Sequence, residues 1–174
     1  MSDAHKDFLR RLVQSTEEEY DQFHSLEREL EDDLDQVRDV EHNLKVLERQ
    51  MSSFERIVKE RDRLYGEIKN LMVDSSSSSL DDARSYLHHL DKLDRRVGKL
   101  MTRILGRVED VHMDEVKELL DEPGELKEVL RRAAGQAEDI QERLSSFKER
   151  FRREAGEVDS LRKRLKQGVR AETA

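Results

Sequence analysis

LRRLVQSTEEEYDQFHSLERELEDDLDQVRDVEHNLKVLERQMSSFERIVKERDRLYGEIKNLM, residues 9–72, carries apolar residues in two interleaved rows of period seven. One row is Leu9, Thr16, Phe23, Leu30, Val37, Leu44, Met51, Val58, Tyr65 and Met72. The other is Leu12, Glu19, Leu26, Asp33, Val40, Leu47, Phe54, Arg61 and Ile68. Fifteen of these nineteen positions are apolar, counting Tyr65. A strict period of seven keeps one narrow seam turned towards a partner helix as the pair supercoils. The stretch therefore reads as a helix that needs a helical partner. It specifies architecture and is silent on chemistry.

Working outward, the repeat predicts a first helix over about 3–73, capped by Ser2 or Asp3. At 1.5 Å per residue this is a rod of roughly 100 Å. Gly66 is its only glycine and it holds no proline, so no sharp kink is expected. Residues 74–79, Asp74 and five serines, form a polar turn. Ser79 and Asp82 are a plausible capping pair for a second helix over 80–112. The pattern breaks over 113–123, where Asp114 is placed to cap a short helix through Val116, Leu119 and Leu120. Pro123 suits a first helical position, and a third helix follows over 124–168, with a frayed tail at 169–174. Its seam rows run Leu126, Ala133, Ile140, Phe147, Glu154, Leu161 and Leu130, Ala137, Leu144, Phe151, Val158, Leu165.

The expected fold is all-α, a single elongated domain built as an antiparallel coiled-coil hairpin. The serine turn makes helices one and two antiparallel neighbours. Centring that turn near Ser76 puts Arg61, a charge on the seam, opposite Asp91 and one turn from Asp94. With Asp33, these are the charges expected to set register, since a seam charge is tolerated only with a partner. Helix three then continues along the first half of helix one, facing Glu19 with Arg143. The alternative is a three-helix bundle beside the serine turn, with the first half of helix one protruding.

Composition agrees with helices rather than a thick core. Charged residues make up 43% and apolar ones 34%, with no tryptophan and one proline. That suffices for stripes between long helices. The absence of cysteine excludes disulfides and thiolate chemistry. No apolar run approaches the ~20 residues that span a bilayer. The opening MSDAHKDFLRRLV lacks the apolar stretch of a signal peptide, so a cytoplasmic protein is expected.

No glycine-rich phosphate loop, nucleophile elbow or cysteine–histidine metal spacing occurs, so neither an enzyme nor a cofactor is expected. Adjacent His88 and His89 point about 100° apart on a helix and cannot chelate together. Glu17, Asp21 and His24 share a face, but on this seam it points to solvent. His42 and His112 fall near one another in the hairpin register, as two ordinary surface histidines.

Contact surfaces remain as the candidate sites. Ile57, Leu64, Leu71, Leu93 and Leu100 widen the apolar stripe near the serine turn and form the expected surface of a homodimer. The last helix surrounds an apolar row with cations, and Phe151, Arg152, Arg153, Leu161, Arg162, Lys163, Arg164, Leu165 and Lys166 are its candidate partner contacts. The net charge of −8 disfavours polyanions, while residues 15–42 carry a net −10 and residues 143–170 a net +6. The expectation is a non-enzymatic scaffold or adaptor that meets itself and an acidic protein surface. An anionic membrane or nucleic acid is the less favoured partner.

Overall fold

A computed structural model describes residues 3–34, 40–73, 76–112 and 125–173. Every one of these except Ser76 is helical. The helices are α1 (Asp3–Leu34), α2 (Val40–Val73), α3 (Ser77–His112) and α4 (Glu125–Thr173). The expected break at 113–123, with its short helix and Pro123 start, lies outside the described residues.

The rod expected over 3–73 is two helices packed against each other. Arg56 Nη1 lies 3.4 Å from a Glu19 carboxylate oxygen, and Gln50 donates to the Phe23 carbonyl oxygen at 3.4 Å. Nearer the reversal, His42 lies 3.5 Å from Glu29. On a continuous helix, residues 19 and 56 would sit about 55 Å apart. A period of seven asks for a partner helix but does not say where that partner comes from. Here the two halves of the repeat satisfy one another. Phe23, Leu30, Leu44, Leu47, Met51 and Phe54 are fully enclosed as a result.

α2 and α3 are antiparallel, as the serine turn requires. The cap is Ser76 rather than Ser79: its Oγ accepts from the Ser79 N–H at 3.3 Å, and its carbonyl accepts from Leu80 at 3.1 Å. Ser79 and Asp82 are instead buried on α3. Asp82 meets His5 of α1, and the Tyr86 hydroxyl donates to the His5 carbonyl at 3.3 Å. Farther along, Arg96 reaches Glu17 at 2.8 Å and Arg103 reaches Glu27 at 3.4 Å, so α1 runs parallel to α3.

α4 also departs from the expected hairpin. It doubles back beside α2 and α3 instead of extending along α1. Arg143 pairs with Glu48 at 3.3 Å, and not with Glu19; Arg150 pairs with Asp62 at 3.0 Å. Arg162 pairs with Asp91 of α3 at 2.6 Å, in the antiparallel sense. Among the described residues no Cα of α1 comes within 8 Å of a Cα of α4. The outcome is an up-down-up-down bundle with the α2–α3 pair at its centre and α1 and α4 on its flanks. The protruding half-helix of the alternative topology is absent too, because α1 is folded onto α2.

This arrangement explains the widened apolar stripe. α2 must present one face to α1 and another to α3 and α4, so it buries Val46, Ile57 and Leu64 as well as its seam. A two-helix seam would leave those residues in water, at roughly 25 cal/mol per Å² of apolar surface.

Candidate functional site

Arg61 is among the largest fully buried side chains of the described bundle, with its side chain 1% exposed. It sits mid-way along α2 because a seam position carries a long cation where the pattern asks for an apolar residue. Its Nε donates to Asp94 of α3 at 2.8 Å, and Nη1 donates to Glu154 of α4. Asp62 lies 3.3 Å from the same Nη1. The guanidinium also stacks over the rings of Phe151 and Tyr65, at 4.8 and 5.1 Å from their centroids. Around this knot Arg150 holds Asp62, and the Tyr65 hydroxyl donates to Glu157.

Burial by itself would make the guanidinium shed its proton more easily. Asp94 and Glu154 more than reverse that, so Arg61 stays charged at any accessible pH. Burial pushes the Asp94 carboxyl above the usual range, Arg61 opposes this, and Asp91 and Glu154 add to the rise. A buried cation shared by two acids is costly unless every charge has a partner, and here the geometry supplies them. The knot ties α2, α3 and α4 into one register. It offers no open site to a reacting molecule.

Of the charges expected to set register, Arg61 pairs with Asp94, and Asp91 pairs with Arg162. The side chain of Asp33 lies outside the described residues. The acid missed by the sequence reading is Glu154, although the signal was present as a lone charge on the seam of the last helix. Also missed was a polar layer on α2 in which Asn43, Gln50 and Ser53 are buried. Nothing in a period of seven marks a second buried face, so these residues looked like solvent-facing ones.

The expected dimer surface is corrected outright. Ile57, Leu64, Leu71, Leu93 and Leu100 are all buried within the single chain. They pack the four-helix interior, and near the serine turn Val73 is the large apolar side chain left exposed among the described residues.

The partner contacts expected on α4 divide into two faces. Leu165 is buried, and Phe151 and Leu161 are partly buried against the core, so the apolar row is turned inward. Arg162 is engaged by Asp91 and by Asp159. Arg152, Arg153, Lys163, Arg164 and Lys166 are exposed, and among the described residues they form no ion pair. Helical spacing puts the five on the side of α4 away from the bundle.

Elsewhere, part of the acidic block is paired within the chain. Glu17, Glu19 and Glu27 of the acidic block are held by Arg96, Arg56 and Arg103. Glu17 is thereby engaged away from Asp21 and His24, and no group of three or more metal-binding side chains occurs among the described residues. His42 lies against Glu29, while the His112 side chain is outside the described residues. Lys92 and burial lower the pKa of His89, burial being the larger cause. An open groove of about 580 Å³ between α1 and α2 has Asp7, Arg11, Glu60 and Arg63 among its lining residues. Two cations and two carboxylates there select no sign of ligand. Among the described residues no helix is long and apolar enough to cross a membrane. No family model, curated protein or solved structure matches this chain.

Proposed function

We propose that the protein is a non-enzymatic helical scaffold or adaptor, acting through self-association and through contact with an acidic protein surface. The observation that carries this reading is the outer face of α4, where Arg152, Arg153, Lys163, Arg164 and Lys166 are exposed and unpaired among the described residues. Two α4 cations between or beside them, Arg150 and Arg162, are bound to Asp62 and Asp91. An unneutralised row of cations on a chain of net charge −8 suits a local acidic patch better than an extended polyanion, which the whole molecule repels. The inward turn of Phe151, Leu161 and Leu165 makes this contact chiefly electrostatic. It should weaken steeply with salt, because attraction between exposed charges is screened beyond ~8 Å at physiological ionic strength.

The test reverses Arg152, Arg153, Lys163, Arg164 and Lys166 to Glu while sparing Arg162, which the fold uses. Binding is measured against polyglutamate, against vesicles containing anionic lipid and against duplex DNA. Selective loss of polyglutamate binding, with helicity unchanged, is the expected result. Binding to vesicles or DNA that is stronger in the native chain and lost in the variant would replace this reading.

A further inference from the structure

We propose that the cleft between α1 and α3 is a docking groove for an acidic amphipathic helix of a partner protein, with carboxylates seven residues apart beside an aliphatic seam. This goes beyond the contact assigned to α4. It uses a different face of the bundle, and its test separates the two.

The cleft follows from how the helices share the core. α1 runs parallel to α3 but packs chiefly on α2, so it meets α3 largely through long side chains. Arg96 reaches Glu17 at 2.8 Å, and Arg103 reaches Glu27 at 3.4 Å. Two open stretches of about 200 and 290 Å³ flank the Arg96–Glu17 bridge. α4 lies on another face of α3. Its Arg162 meets Asp91, and residues 91 and 96 stand about 140° apart around a helix.

The groove repeats every seven residues. Val13, Lys92 and Leu93 line the first stretch, and Tyr20, Lys99 and Leu100 line the second. Each member of the second set follows its counterpart by seven positions. On parallel helices that step is about 10.5 Å along both walls. The floor and its cations are thus presented at the spacing of a heptad helix laid along them. A small ligand would fill one stretch, whereas a helix uses both. Leu93 and Leu100 are buried floor, and Val13, 38% exposed, stands open to an incoming seam.

Charge gives the occupant its sign. Lys92, Arg96, Lys99 and Arg103 of the lining outnumber Glu17 and Asp21. Arg96 is fixed as a post, held by Glu17 and stacked 4.8 Å from the centre of the Tyr20 ring. Lys92 and Lys99 are exposed and form no ion pair among the described residues. Glutamates seven apart on the partner place one carboxylate on each lysine. Exposed ion pairs are individually weak, so the aliphatic seam against Val13 and the leucine floor must add to them.

The experiment uses the full chain and a fluorescent peptide of about three heptads, with leucine on its seam and glutamate beside it. Binding is read by anisotropy at physiological salt, and the mass of the chain alone by light scattering. The peptide should bind, and more tightly than a matched peptide with serine in place of leucine. Val13→Glu, or Lys92→Glu with Lys99→Glu, should weaken it on the order of tenfold or more with helicity unchanged. Reversing the exposed α4 cations should leave it bound. Failure of the leucine peptide to bind at micromolar concentration, or binding no tighter than the serine peptide, overturns the groove and leaves the α4 contact standing. So does binding that is lost with the α4 cations and kept without the two lysines. If the lysine variant instead loses anionic vesicles or duplex DNA while keeping the peptide, the occupant is not an acidic helix. If it keeps the peptide while the native chain's self-associated mass falls, the occupant is a second copy, and the proposal is overturned.

Discussion

Arg61 and Asp94 face one another across the α2–α3 interface, the guanidinium Nε donating to the carboxylate at 2.8 Å where Arg61 is almost wholly removed from water. Removing one side of a buried pair leaves an uncompensated charge, so Arg61→Ala should cost about 3–5 kcal/mol in chemical denaturation. A double-mutant cycle with Asp94→Ala should show coupling of ~0.5–3 kcal/mol. Asp91→Ala, which removes the partner of Arg162 instead, should show much the smaller coupling to Arg61. Equal coupling to both aspartates would contradict the observed register.

The same knot sets a pH dependence. In Arg61→Met the buried carboxyl of Asp94 loses its main opposing charge, and its pKa, already held up by burial, rises further. The folded state then keeps a proton that the unfolded chain releases near pH 4. Stability of the variant should fall as pH rises from about 4 through the raised value, and return on acidification. About 1.4 kcal/mol is regained for each unit by which the folded pKa exceeds the unfolded one. Denaturation midpoints for Arg61→Met and the native chain that run parallel from pH 4 to 7 would refute this.

Leu64 and Leu100 are interior residues of one chain. Leu64→Ala and Leu100→Ala should each destabilise by about 2–5 kcal/mol, as core truncations do. The loss should be the same at micromolar and submicromolar protein. A loss that vanished on dilution would restore these leucines to an intermolecular surface.

Ser53 is enclosed on α2 with a hydroxyl that has no hydrogen-bond partner among the described residues. Replacing it by alanine removes an unsatisfied polar group and adds a better helix former. Ser53→Ala should therefore stabilise the protein by roughly 1 kcal/mol, read from thermal or urea unfolding. Destabilisation by that amount would mean the hydroxyl is bonded.

In dilute solution the longest dimension should be that of α4, about 75 Å for its 49 residues. A continuous helix over 3–73 would give roughly 105 Å. Small-angle scattering separates the two directly.

The seven-residue rows were enough to read helices, the antiparallel step at the serine turn and the pairing of Arg61 with an aspartate of α3. Each of these depends on spacing along one segment, or on a turn too short to allow another geometry. The reversal between Leu34 and Val40, the return of α4 beside α2, and hence the burial of Leu64 and Leu100 were decided by the tertiary structure. A heptad seam specifies that an apolar stripe must be covered, and many partners can cover it. Which partner does so depends on the summed burial and charge pairing of four helices at once. The division of α4 into an apolar face turned inward and a basic face left outside is settled at that level, because Leu165 and Lys166 are neighbours in sequence and only packing separates their surroundings.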